Sequence, residues 1–101
     1  MKISIISASH RMNSQSKKIS VFLQNNLSNM NSKLDTYILD LADVNLPLWS
    51  PEKKDGQGIW SETWNSISSN LNESDGFILV VPEYGGMATP AAKNVFLLCG
   101  N

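Results

Sequence analysis

The sequence predicts an α/β fold in which helices cover both faces of a small parallel sheet. Three short apolar runs, at residues 2–8 (β1), 34–41 (β2) and 77–81 (β3), are typical of strands. A helical pattern follows each run, in segments that we number α1, α2 and α3. The order is therefore β-α-β-α-β-α, and this alternation favours a parallel sheet with right-handed crossovers.

The first strand and the first helix are predicted because the spacing of apolar residues changes from a short run to steps of three and four. Ile3, Ile5 and Ile6 form a β-branched run that fits a buried strand. From Ser16 onward, apolar residues recur at steps of three and four, which places them on one helical face that we expect to be the buried one: Ile19, Phe22, Leu23, Leu27 and Met30. Ser14 or Ser16 is the expected N-cap of α1.

The rest of the chain repeats the same pair of elements twice. A link rich in proline and glycine, residues 42–58, follows β2. The second helix is predicted from apolar residues at steps of four, three and four: Trp60, Trp64, Ile67 and Leu71. The third strand is the most apolar segment, so we expect it to be central and buried on both faces. Thr89 and Pro90 form an N-cap followed by proline at the first helical position, so α3 is expected over residues 90–98.

The composition of the chain limits which binding partners and which cellular compartment we expect. The 101 residues are 42% hydrophobic and 17% charged, with a net charge of −1, which allows one domain with a core. This charge gives no overall attraction to nucleic acid or to a membrane surface, and no apolar stretch approaches the ~20 residues of a membrane helix. Cys99, the single cysteine, is expected to be a buried small hydrophobe. We therefore expect a soluble cytoplasmic protein.

The loop after β1 has the chemistry of a phosphate site. It offers the hydroxyls of Ser9, Ser14 and Ser16 and the free N–H groups at the start of a helix. It also offers the guanidinium of Arg11, which can donate two hydrogen bonds to one phosphate. The patterns of dinucleotide-binding and Walker A loops are missing, so a terminal phosphomonoester fits better than a pyrophosphate. The alternative is that these serines only cap the helix.

The loop after β3 fits a flat ligand. Pro82 stiffens the exit from the strand, and Gly85 and Gly86 allow positive φ and the close approach of a ring. Tyr84 can lie beside such a ligand or form a hydrogen bond with it. The alternative is an ordinary turn between a strand and a helix.

No set of residues for side-chain catalysis or metal binding is evident. His10 is the only histidine and has no partner at a metal-ligand spacing. Asp40 and Asp43 are explained by turn capping, and Glu83 as a lone acid does not define acid–base catalysis. We therefore predict no catalytic side chain and no metal site.

Three ordered segments resemble the NADPH-dependent FMN reductase family. Residues 7–14 resemble its Gly-Ser-x-Arg-x-x-Ser phosphate loop, with Ala8 in place of the glycine. Residues 82–86, followed by Lys93-Asn94, resemble its Pro-Glu-Tyr-Asn-Gly…Lys-Asn motif, with Gly85 in place of the asparagine. Residues 40–43 with 46–48 resemble the family's segment after its second strand.

The resemblance implies a flavodoxin-like three-layer α/β/α fold with strand order 2-1-3. Family members have about five strands, so the chain resembles the first half of an enzyme, a single truncated FMN-binding domain over residues 1–101 that lacks strands 4 and 5. By resemblance, FMN is the cofactor and nine residues contact it: Ser9, Arg11, Ser14 and Ser16 at its phosphate, and Pro82, Glu83, Tyr84, Gly85 and Gly86 at its ring.

The implied activity is hydride transfer from NAD(P)H to FMN and electron transfer onward to a small-molecule acceptor, as in flavin and quinone reductases. The flavin carries the chemistry and the protein supplies orientation and electrostatics. A homo-oligomer, either a dimer or a tetramer, is also implied. The alternatives are a flavin- or nucleotide-binding module without turnover, and an inactive truncated fragment that needs a partner chain.

Overall fold

The computed structural model describes residues 1–50 and 58–100. In these residues the strands are β1 (Lys2–Ser7), β2 (Asp35–Asp40) and β3 (Gly76–Val80), and the helices are α1 (Gln15–Met30), α2 (Gly58–Asn72) and α3 (Pro90–Cys99). The predicted order of elements is confirmed. Residues 51–57 of the predicted link and the side chain of Trp60 lie outside the described residues. Across the described part of the chain, no helix is long and apolar enough to cross a membrane.

The strands form a parallel sheet in the order β2-β1-β3, which confirms the predicted flavodoxin-like arrangement. In the centre of the sheet, Ile5 lies between Ile38 of β2 and Ile78 of β3. The carboxyl ends of β1 and β3 are tied together where the N–H of Ala8 donates to the carbonyl of Val80 at 2.9 Å. The loops that follow these two strands therefore leave the sheet side by side.

Helices cover both faces of the sheet. On one face, Gln24 of α1 donates a hydrogen bond to Thr36 of β2 at 3.0 Å. Side chains along a strand point alternately to the two faces of the sheet. Leu39 lies three residues after Thr36, so Leu39 and its neighbour Ile6 of β1 face the other side. There they join a buried cluster contributed by the sheet and by helices α2 and α3: Ile6, Ala8, Leu39, Leu41, Trp64, Ile67, Leu71, Ala92, Val95 and Leu98.

The expectation that β3 is buried on both faces is wrong. Phe77 is 50% exposed, and Leu79 and Val81 are also exposed. Among the described residues β3 pairs only with β1, so it lies at the edge of the sheet. The apolar composition of β3 is compatible with burial, but burial also requires a neighbouring element on its second side.

The buried face of α1 also differs from the prediction. Ile19, Phe22 and Met30 are exposed, whereas Ser16 and Ser20, one turn apart, are buried. The Ser20 hydroxyl donates to the carbonyl of Ser16 at 2.8 Å, so it needs no partner from the sheet. Leu23 and Leu27, the other two residues of the predicted face, are half-buried, so the prediction holds only in part.

The third helix begins as predicted and ends differently. Thr89 is its N-cap, accepting a hydrogen bond from the N–H of Ala92 at 3.1 Å, and Pro90 is its first residue. The buried face consists of Ala92, Val95 and Leu98. Cys99 is exposed and not buried as expected, because it follows Leu98 by one residue and so lies about 100° further around the helix.

Candidate functional site

The loops after β1 and β3 contact each other at Tyr84. The hydroxyl of Tyr84 lies 3.2 Å from Oγ of Ser9. Its ring stands edge-to-face against His10, with the ring centroids 5.4 Å apart. Tyr84 therefore brings together the two loops that the sequence singled out, at the carboxyl edge of the sheet where open α/β folds bind ligands.

The β1–α1 loop is shaped by short-range hydrogen bonds. Oγ of Ser9 accepts from the N–H of Arg11 at 3.2 Å, and Asn13 takes a left-handed conformation with φ of +52°. Ser14 then caps α1 by accepting from the N–H of Lys17 at 3.1 Å, so the capping role predicted for Ser14 or Ser16 belongs to Ser14. The first N–H groups of α1 have no acceptor within the helix and are directed back toward the loop.

The predicted phosphate residues fall into two groups. The side chain of Arg11 is exposed, and its guanidinium forms no ion pair with any residue that the structure describes. Ser9, Ser14 and Ser16 are only 1%, 7% and 5% exposed. Ser9 and Ser14 already accept backbone hydrogen bonds, but a serine hydroxyl that accepts still has a proton to donate. Among the described residues, the loop and the start of α1 thus combine an unpaired guanidinium with three buried hydroxyls.

Ser7 is a polar group of this region to which the sequence reasoning gave no role. It is the last residue of β1, it is fully buried, and its hydroxyl has no hydrogen-bond partner among the described residues. It lies two residues after Ile5 in β1, so both side chains point to the same face of the sheet, which is the face covered by α1. An unpaired buried hydroxyl costs about 1–3 kcal/mol. The sequence signal that could have identified Ser7 is its position directly before the serine-rich loop.

The β3–α3 loop contains a tight turn. Tyr84 and Met87 exchange two backbone hydrogen bonds, at 2.9 and 3.2 Å, around Gly85 and Gly86 with φ of +62° and +82°. The carboxylate of Glu83 accepts from the N–H of Gly86 and fixes the turn. The predicted positive φ values are confirmed, and both central positions of such a turn favour glycine. A Cβ at either glycine would meet no atom within 4 Å, so the space beside the turn is open.

A depression of about 400 Å³ also lies along this loop. Its lining comes from the end of β3 and from the turn: Val81, Pro82, Glu83, Gly86, Met87 and Ala88. Three of the five residues predicted to contact a ring, Pro82, Glu83 and Gly86, line this depression. Gly86 has no side chain, so a flat molecule in the depression can approach the backbone there.

Thr89 anchors the β3–α3 loop to the first strand. Its hydroxyl donates to the carbonyl of Ala8 at 2.6 Å while accepting from the N–H of Ala92. Thr89 is fully buried, so both hydrogen bonds are shielded from water. The relative position of the two loops is therefore fixed below the site as well as at Tyr84.

Two further polar residues of the motifs have structural roles. Asn94 connects α3 to the segment after β2, because its amide donates to the carbonyl of Pro47 at 3.0 Å and accepts from the N–H of Trp49 at 2.7 Å. Asp40 accepts from the N–H of Ala42, as its predicted capping role requires, and lies 3.7 Å from Nζ of Lys17. Lys17 is thus paired with an acid, whereas Arg11 has no ion-pair partner in residues 1–50 and 58–100.

Comparison with known proteins agrees with this arrangement. The sequence model of the NADPH-dependent FMN reductase family matches residues 1–101, and no curated protein matches the chain. The parallel sheet in the order β2-β1-β3 is the arrangement that a flavodoxin-like fold requires. The chain belongs to the NADPH-dependent FMN reductase family.

Proposed function

We propose that this chain is an NAD(P)H-dependent oxidoreductase of the flavin or quinone reductase type, with FMN bound across the β1–α1 and β3–α3 loops. The observation that carries the proposal is the contact between Ser9 and Tyr84. It places a set of phosphate-type donors directly beside a glycine turn with open space. Family membership supports FMN as the ligand that needs both.

The residues at the phosphate end fit a phosphomonoester. Arg11 is exposed and unpaired within the described residues, so its fork can bind two phosphate oxygens. The start of α1 adds N–H groups and the positive end of the helix dipole. The unpartnered hydroxyl of Ser7 and the protons of Ser14 and Ser16 are further donors. An anion there satisfies groups that are otherwise incompletely hydrogen-bonded.

The residues at the other end fit a flat ring. The open side of Gly85 and Gly86 allows a ring to approach the backbone of the turn, and Pro82 contributes an apolar wall without an N–H. The carboxylate of Glu83 already accepts from Gly86, so we assign it to holding the turn. No side chain at this end is assigned a proton-transfer step.

When bound, FMN would supply the redox chemistry, namely hydride acceptance from NAD(P)H and electron transfer to a small-molecule acceptor. The contribution of this chain is orientation. Arg11 and the start of α1 fix the phosphate, and the turn at Gly85 and Gly86 fixes the plane of the ring. Thr89 and Tyr84 hold the two loops at a constant separation, so a ligand attached to both is held in one position.

The absorption spectrum of the purified chain tests this proposal. We expect the protein to retain added FMN at micromolar concentration, with a shifted flavin band, and to lose the yellow colour when NADPH is added without oxygen. Oxygen or a quinone should restore the colour. If no flavin is retained, the proposal fails.

A flavin-binding module without turnover is the second candidate. The observation that favours it is the apolar surface beside β3, where Phe77, Leu79 and Phe96 are exposed and a partner chain can complete the sheet. The same spectrum separates the two candidates. FMN that binds with a shifted band but stays yellow under NADPH supports the module and contradicts the reductase.

A further inference from the structure

We infer that the Tyr84 hydroxyl is a direct ligand of the anion, and that Ser9 acts behind it as a positioning residue. This inference rests on the proposed function and changes two assignments within it. Tyr84 moves from the ring end to the phosphate end of the site. Ser9 moves from contact with the anion to a place behind Tyr84.

One of the two hydrogen bonds at Ser9 has a fixed direction, and the other, between two hydroxyls, can run either way. The N–H of Arg11 can only donate, so Oγ of Ser9 accepts at 3.2 Å. Ser9 then has one proton left, and the Tyr84 oxygen lies 3.2 Å away. When Ser9 donates to that oxygen, the phenol proton of Tyr84 is the free end of the chain.

Burial decides which of the two hydroxyls meets the ligand. Ser9 is 1% exposed, whereas Tyr84 is only half-buried. Tyr84 is therefore the more accessible of these two residues to a ligand that arrives from solvent. The edge-to-face contact with His10 restricts the Tyr84 ring and keeps its hydroxyl at the β1–α1 loop.

The charge of the anion favours the same direction. With Ser9 as the donor to Tyr84, both hydrogen bonds from the Arg11 N–H through Ser9 to Tyr84 point toward the ligand. Successive hydrogen bonds of this kind polarise one another, most strongly where water is excluded. These hydrogen bonds therefore strengthen the binding of a dianionic phosphate and strengthen that of a neutral ligand little.

The test is the ratio of the affinities for FMN and riboflavin, which differ only in the phosphate. We expect Tyr84→Phe to weaken FMN by on the order of tenfold more than riboflavin, as for a hydrogen bond to a charged group. Tyr37→Phe is the matched control, because it removes the same hydroxyl from β2, outside both loops, and should leave the ratio unchanged. Equal losses of both ligands in Tyr84→Phe would overturn the inference.

A double-mutant cycle tests the position of Ser9. If Ser9 acts through Tyr84, Ser9→Ala lowers the FMN-to-riboflavin ratio in the wild type and changes it by less than about twofold in the Tyr84→Phe background. A full loss in both backgrounds means that Ser9 contacts the phosphate directly, and this overturns its assignment. Circular dichroism and thermal melting of each variant check that folding is retained.

Inorganic phosphate separates this inference from the proposed function. We expect millimolar phosphate to raise the melting temperature of the wild type and to raise that of Tyr84→Phe much less. This result in a protein that binds no flavin supports the anion site and refutes the reductase. Flavin binding with an unchanged ratio in Tyr84→Phe supports the reductase and refutes the role of Tyr84. A wild type that binds neither ligand refutes both.

Discussion

Replacing Thr89 by valine should strongly destabilise the protein. Valine keeps the branched shape but has no hydroxyl, so α3 loses its N-cap and the carbonyl of Ala8 loses its donor at 2.6 Å. Loss of a cap costs about 1 kcal/mol, and a buried group left without its partner costs about 1–3 kcal/mol. Because Thr89 is fully buried, water cannot replace either bond, and we expect a loss of about 3 kcal/mol.

Urea unfolding followed by tryptophan fluorescence measures this loss, since Trp64 is buried and Trp49 packs against the core. Thr89→Ser is the matched control. It keeps the hydroxyl and loses one methyl group, so it should cost about 1 kcal/mol or less. If Thr89→Val lies within about 0.5 kcal/mol of the wild type, or if Thr89→Ser is equally damaging, the two hydrogen bonds do not have the weight that the structure gives them.

Three further perturbations test the site and its surroundings. Arg11→Ala should weaken FMN by about tenfold to a hundredfold and riboflavin little, with Lys33→Ala as a control cation outside the loops; equal losses for both flavins would refute the phosphate role. Gly86→Ala should cost about 1–2 kcal/mol in urea unfolding because φ is +82°, whereas Gly100→Ala, at φ of −79°, should cost less; equal costs would contradict the turn geometry. Although Cys99 is exposed as a residue, partial desolvation of its sulfur raises the pKa of the thiol, so its alkylation should rise with pH at a higher midpoint than that of a free cysteine peptide; an equal or lower midpoint would contradict this.

The order and type of the elements could be predicted because they depend on local pattern. The alternation of apolar runs and helical periods gave β-α-β-α-β-α, and Thr89-Pro90 marked the start of α3. What surrounds each element could not be predicted in the same way. Phe77 is exposed because β3 lies at the edge among the described residues, and an apolar run does not reveal how many neighbours a strand has.

The exposed stripe of α1 has a comparable cause. Periodicity assumes that the most apolar face is the buried one, and this predicted burial for Phe22. The structure instead buries Ser16 and Ser20, whose small size allows close packing and whose backbone-bonded hydroxyl costs little. A hydrophobic pattern does not show that small, locally hydrogen-bonded polar side chains can occupy the buried face of a helix.

The candidate site was predictable in composition and less so in geometry. The residue types of both loops pointed to an anion and a flat ring, and the positive φ values of Gly85 and Gly86 follow from their identity. The contact between Ser9 and Tyr84 joins residues 75 positions apart, so local reasoning could not find it. The burial of Ser9 and the unpaired hydroxyl of Ser7 likewise depend on how β1 packs.

An NMR titration with FMN tests the central claim most directly, namely that one flavin spans both loops. We expect backbone amide signals of Gln15 and Ser16 at the start of α1 to shift together with those of Gly85 and Gly86, all with the same dissociation constant. Lys33, in the turn after α1, should be unaffected. Shifts in only one loop, different dissociation constants for the two loops, or no shift at micromolar FMN would contradict the account.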